Sequence, residues 1–205
     1  EGLMFDIGIT SNIKEYYSGY IDFIDYYWLD YFEKNNINYY LIPNKKRVSI
    51  KILNQIKILI IPGGNDVSNN LRTSKIRNDI ENRLINICSK KNIPILGICR
   101  GAQLLNKNSG GKIKKVKNHM RTRHNIFFTK NSIVKKNSLI VNSFHNNGIK
   151  KNDLSKKFNM LANDKSENVE MFISKNKKII GVMWHPEREK STLILDKLIN
   201  YLNKK

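Results

Sequence analysis

The sequence predicts an α/β fold: a doubly wound, mostly parallel sheet flanked by helices, in a single domain over residues 4–205. Three observations predict it. Short β-branched runs alternate with amphipathic helical stretches through the first half of the chain, as in strand–helix–strand crossovers. Two of those runs stop abruptly at glycine-rich turns, Pro62-Gly63-Gly64 and Gly97-Ile98-Cys99-Arg100-Gly101. A chain of 205 residues, 40% hydrophobic, has enough apolar side chain for one core of ordinary size.

Taken in order, residues 5–10 form a short buried strand. Tyr20, Ile24, Tyr27, Trp28 and Tyr31 then recur at helical spacing, which predicts an amphipathic helix with an aromatic stripe against the core. The run 56–61 is a strand ended by Pro62 and two glycines. Ile76, Ile80, Leu84 and Ile87 line one face of a helix, and a strand follows at 93–98. The second half is richer in Asn, Lys and Ser, with β-like runs at 125–129, 140–145, 169–173 and 179–184 and a hairpin turn at Asn176-Lys177. A last helix places Ile194, Leu195, Leu198, Ile199 and Leu202 on one face. There is no linker, repeat or second core, and Glu1-Gly2-Leu3 ahead of Met4 carry no weight in the argument.

The net charge of +20 raises a nucleic-acid reading, which the distribution opposes. Lys far outnumbers Arg, although the planar Arg fork is the better phosphate reader, and the lysines are scattered. Asn, Ile and Lys each supply about one residue in seven, a compositional bias spread over the whole chain. No nucleic-acid polymer is therefore expected as a partner. No apolar run approaches the roughly 18–20 residues of a membrane span, and the N-terminus lacks a signal-peptide succession, so a soluble cytoplasmic protein is expected. Two cysteines, Cys88 and Cys99, neither make a disulfide framework nor show zinc-site spacing.

The chemistry centres on Gly97-Ile98-Cys99-Arg100-Gly101 between a buried strand and a helix. A side chain at such a turn projects at the carboxyl ends of the strands, where the helix N-terminus supplies amide donors and favours a thiolate. Cys99 is the candidate nucleophile, whereas Cys88, inside an amphipathic helix, is structural. A nucleophile needs a base and the base an orienting partner; His185 follows a strand, and Glu187 lies two residues on. Pro62-Gly63-Gly64-Asn65-Asp66 offers backbone amides at another strand end for the oxyanion that amide attack creates.

These three motifs, in this order, resemble the class I glutamine amidotransferase-like superfamily, of flavodoxin-like fold, and its stand-alone γ-glutamyl hydrolase branch. The resemblance implies a Cys99–His185–Glu187 triad and an oxyanion hole of the Gly64 and Arg100 amides. It implies substrate contacts at Gly63, Asn65, Gln103, Ser143, Phe144 and His145. It also implies a small-molecule γ-glutamyl substrate, no metal or organic cofactor, and no obligate synthetase partner. Arg77 and Glu81 match the ends of the family's R-D-x-x-E segment, with Asn78 in place of its Asp; whether that segment touches substrate or orders the helix stays open. Within the branch, Lys117-Asn118-His119, His124, Phe127-Phe128 and the segment from Asn142 to Asn146 look most like γ-glutamyl-CDP-amidate hydrolases of capsule phosphoramidate biosynthesis. A loop at 118–123 is expected to meet the nucleotide phosphates. γ-Glutamyl-γ-aminobutyrate hydrolases, which commonly have His-His-Gln where this chain has His145-Asn146-Asn147, and amidotransferase glutaminase subunits are the alternatives.

Overall fold

The computed structural model describes residues 4–204; the side chains of Val48 and Ser49, and Glu1-Gly2-Leu3 and Lys205, lie outside the description. Strand β1 (Phe5–Thr10) leads into a hairpin of β2 (Asn12–Tyr16) and β3 (Gly19–Phe23). Then follow α1 (Tyr26–Lys34), β4 (Tyr39–Ile42), α2 (Lys46–Ile52), β5 (Ile56–Ile61), α3 (Arg72–Lys91), β6 (Ile95–Ile98) and α4 (Arg100–Asn108). The remainder comprises β7 (Lys114–Lys115), β8 (Met120–Phe128), β9 (Ser138–Phe144), β10 (Asn147–Gly148), β11 (Phe158–Asp164), β12 (Val169–Ser174), β13 (Ile179–Val182) and α5 (Leu193–Asn203).

Nine strands form one sheet in the order β4-β1-β5-β6-β13-β12-β11-β8-β9. The first five run parallel, and numbered among themselves they follow the 2-1-3-4-5 order of doubly wound sheets. From β13 onward every pairing is antiparallel. The central strands of the parallel half are buried on both faces and read as apolar runs: in β5, Ile58 and Ile60 pack with Trp28, Leu195 and Leu198 on one side, Leu59 and Ile61 with Leu84 and Leu105 on the other. Ile61, Ile98 and Val182 therefore end side by side, and whatever follows each is delivered to one edge.

Three expectations need correction. Tyr20 lies on a hairpin strand, paired with Glu15, and the helix begins only at Tyr26, capped by the Asp25 carboxylate. The turn at Tyr17, with φ 50°, and Gly19 favours the hairpin, whose Asp22 side chain is locked by the Asn44 backbone and amide at 2.9 and 2.6 Å. Trp28 and Tyr31 are core as expected, but Tyr20 and Tyr27 are exposed. The expected loop at 118–123 is largely strand, because β8 extends back to Met120 through a bulge at Arg121. Strand β11 has no counterpart in the sequence reading; its own register shifts between Met160 and Asn163 break the apolar alternation that would mark it.

Candidate active site

Cys99 sits between β6 and α4 with φ 50° and ψ −103°, a backbone conformation that L residues rarely adopt, and its N–H donates to the Val182 carbonyl at 2.7 Å. Gly101 makes this possible, since a Cβ there would fall 1.9 Å from the Ile61 carbonyl oxygen, and α4 could not begin so close to β5. The sulfur borders a cleft of about 150 Å³, with Arg100, Gln103, Gly64, Phe144 and His145 in its walls.

His185 follows β13 and is buried. Its Nδ1–H donates to Glu187 Oε1 at 2.7 Å, and its ring lies within electrostatic reach of Cys99. Burial works against a charged ring, but the Glu187 carboxylate and then Cys99 outweigh it and raise the His185 pKa to about 10. An imidazolium is thus held beside the sulfur. The His185 backbone is bracketed by Asn142, whose Oδ1 accepts from the His185 N–H at 2.9 Å and whose Nδ2 donates to its carbonyl at 2.8 Å. Asn142 was visible in sequence only as part of a motif; this bracketing joins β9 to the segment after β13 and has no sequence signal.

The loop after β5 closes the site. Gly64 adopts φ +132°, and a Cβ there would lie 1.7 Å from Asn12 Oδ1. The loop is held from beneath by Arg77, which is wholly buried. Its guanidinium donates to the Pro62 carbonyl at 3.0 Å, to the Gly63 carbonyl at 3.3 Å, to Asn12 Oδ1, and to Glu81 at 2.9 Å. Glu81 also receives Arg100 and, at 2.6 Å, the Thr10 hydroxyl. Burial pushes the Glu81 carboxyl up, but the charges of Arg100 and Arg77 prevail and hold it below its ordinary value. Buried at 0% exposure, Arg77 and Glu81 order the helix and brace the glycine loop. Their partners Thr10, at the end of β1, and Asn12, at the start of β2, were missed by the sequence reading.

Of the remaining expected site residues, Gly63 and Asn65 line a second cavity of about 380 Å³ on the other side of His185, shared with Phe23, Trp28 and Arg188. Asn65 donates to the Ile13 carbonyl at 3.0 Å, tying the loop to the hairpin. Gln103 donates to the Asn147 carbonyl at 2.8 Å, holding the far wall of the cleft. Ser143 is fully buried, its hydroxyl donating to the His119 carbonyl at 2.7 Å, and lies below the cleft. Burial, above all, lowers the His145 pKa to about 4, so this ring is neutral. Cys88 is wholly buried in α3, its thiol pushed up to about 12 by burial.

Known proteins resemble this chain in sequence and in fold. The chain is 40% identical over 138 residues to the γ-glutamyl-CDP-amidate hydrolase of Campylobacter jejuni, a match covering 65% of this chain and 64%, just under two thirds, of that relative. It is 30% identical over 200 residues to the glutamine amidotransferase-like protein YvdE of Lactococcus lactis, covering 84% of both. A glutamine amidotransferase from Thermotoga maritima has the same fold, with a TM-score of 0.71 at 17% identity over 99% of this chain and 84% of that one. Peptidase C26 matches residues 7–187, which takes in the glycine loop, the cysteine elbow and the His185–Glu187 pair, and the chain belongs to that family.

Proposed function

We propose that the chain is a cysteine hydrolase that cleaves the γ-glutamyl amide bond of a small metabolite and releases glutamate. The observation that carries this reading is the Cys99 elbow with the His185 ring against it and Glu187 behind that ring. Cys99, as thiolate beside imidazolium, attacks the γ-carbonyl carbon, and the carbonyl electrons move onto oxygen. The N–H groups of Gly64 and Arg100 hold that oxyanion. On collapse the C–N bond breaks and the leaving nitrogen takes the His185 proton, leaving a γ-glutamyl thioester. Water then gives a proton to neutral His185 and attacks the thioester; glutamate departs and the thiolate is restored. Glu187 keeps the ring oriented and offsets its charge throughout.

For the leaving group we favour cytidine diphosphoramidate, which would place the reaction in capsule or surface-polysaccharide phosphoramidate synthesis. Support comes from the 40% identity to the Campylobacter hydrolase and from the cavity beyond His185. Its walls include the aromatic rings of Phe23 and Trp28 and the Arg188 side chain, which is paired with Asp25. The Arg188 guanidinium lies 5.3 Å from the ring centroid of Phe144, which borders the cleft beside Cys99, and 6.0 Å from that of Tyr27. Such a surface suits a base that stacks and a diphosphate that pairs with guanidinium.

The test is glutamate release from γ-glutamyl-CDP-amidate, γ-glutamyl-γ-aminobutyrate and glutamine, with Cys99→Ala as blank. Preference for the nucleotide substrate is expected. Preference for either other substrate overturns the leaving group and keeps the mechanism. No Cys99-dependent release from any of them overturns the stand-alone hydrolase.

A further inference from the structure

We propose that His119, His124 and Glu170 bind one divalent transition-metal ion, with Zn2+ the first choice for the donor set, in the antiparallel half of the sheet beneath the cleft. Among the described residues, these three side chains bring one potential ligand atom each within 4.8 Å of one another. His119 Nε2 and His124 Nε2 lie 3.5 and 3.4 Å from Glu170 Oε1. Both separations exceed the usual N–H···O range of about 2.7–3.2 Å. They equal the edge of a tetrahedron drawn around a metal with bonds of about 2.1 Å, which is about 3.4 Å.

The state of the donors agrees. Glu170 is 0% exposed, yet neither of its oxygens has an aligned hydrogen-bond donor among the described residues, and neither nitrogen of His124 has an aligned partner. A buried carboxylate left in that condition is costly, and a cation between it and the two rings removes the cost. His119 donates from Nδ1 to the Lys117 carbonyl at 2.7 Å, which fixes the tautomer and turns Nε2 toward Glu170, the outer-shell bond that metal-binding histidines usually make. Two imidazoles and one carboxylate suit Zn2+ and leave a position for water. Asp164 Oδ2, 3.1 Å from His119 Nε2, is the competing partner, but it already accepts from Asn168 at 2.6 Å.

The bulge in β8 builds this geometry. His119 and His124 are an odd number of residues apart, so a regular strand would turn them to opposite faces. The register shift between Met120 and Thr122 places one extra residue, Arg121, between them and returns both rings to the same side. The His119 carbonyl accepts from the His145 N–H at 3.0 Å and from the Ser143 hydroxyl at 2.7 Å, and the Glu170 carbonyl from the Met183 N–H at 2.8 Å. An ion here would brace the cleft wall and the approach to His185 together, without entering the cysteine chemistry.

The test is a Co2+ titration of the chelator-stripped protein in a Cys99→Ala background, which removes the rival thiolate, read by visible absorption and by Zn2+ competition. One-to-one saturable binding is expected, weakened at least about 100-fold by Glu170→Gln and by His124→Ala, with unchanged far-ultraviolet circular dichroism for the latter, whose ring is part-exposed. Absence of saturable binding, or equal affinity in folded His124→Ala, overturns the site in favour of a metal-free imidazolium–carboxylate cluster. The readout is independent of turnover, so it stands or falls apart from the hydrolase reading.

Discussion

Cys88 and Cys99 are both buried and flank the same strand, β6, but their surroundings differ in kind. Cys88 is enclosed by Leu84, Ile85 and Ile95, and burial outweighs the opposing charge of Lys91 and pushes its proton affinity up. Cys99 is nearly as enclosed, but it stands on a backbone forced to φ 50° at a helix N-terminus, against the ring of His185. Burial, then, does not separate the structural thiol from the proposed nucleophile. What separates them is whether the strand end and its neighbours place a cation and amide donors beside the sulfur.

The sharpest way to break that contrast is Cys99→Ala, for which glutamate release from the preferred γ-glutamyl amide should fall on the order of 10⁴-fold or more with the fold intact. Retained activity would remove Cys99 from the mechanism. Next in size is Glu81→Gln, which leaves Arg77 and Arg100 buried without their shared counter-charge beneath the elbow and the glycine loop. The loss should be about 3–5 kcal/mol, a melting point roughly 6–20 °C lower by calorimetry. An unchanged melting point would mean that the elbow region does not depend on this pair.

The imidazolium at Cys99 makes a pH prediction. The folded pKa of His185, about 10, lies above its ordinary 6.5, so the stabilisation is complete below about pH 6.5 and is lost as pH rises through 10. Denaturant unfolding at pH 7 and pH 10.5 should differ by a few kcal/mol, on the order expected from linkage, and Glu187→Gln should shrink the difference because it removes the largest favourable charge. A pH dependence identical in that variant would contradict the assigned cause. The smallest effect is expected from Cys88→Ser, a loss of about 1–3 kcal/mol in stability for burying a hydroxyl, with turnover per folded molecule unchanged. Iodoacetamide on the native protein should label Cys99 and spare Cys88, as peptide mapping would show.

Legibility followed the same division. Strands β5, β6 and β13 of the parallel half were readable because each is a buried apolar run followed within a few residues by Gly or Pro, so the elbow, the glycine loop and the His-Pro-Glu turn all announced themselves locally, whereas the half-buried edge strand β4 went unread. In the antiparallel half β9 and β12 and the end of β8 were read, but bulges in β8 and β11 interrupt the period of two by which a half-buried strand is recognised, so the start of β8 was taken for a loop and β11 went unseen. The helix expected from Tyr20 failed for a related reason, since aromatic residues satisfy helical spacing and hairpin alternation equally well over so short a stretch.

The sequence by itself determined the α/β class, the turn that carries Cys99, the pairing of His185 with Glu187, and the buried character of the last helix. Each is encoded by residues close together in the chain. Only the tertiary structure decided that Thr10 and Asn12 complete the Arg77–Glu81–Arg100 brace, that Asn142 brackets His185, and that His119, His124 and Glu170 face one another. Those relations join strand ends and faces far apart in sequence, and one bulged residue is enough to turn a side chain from one face of a sheet to the other.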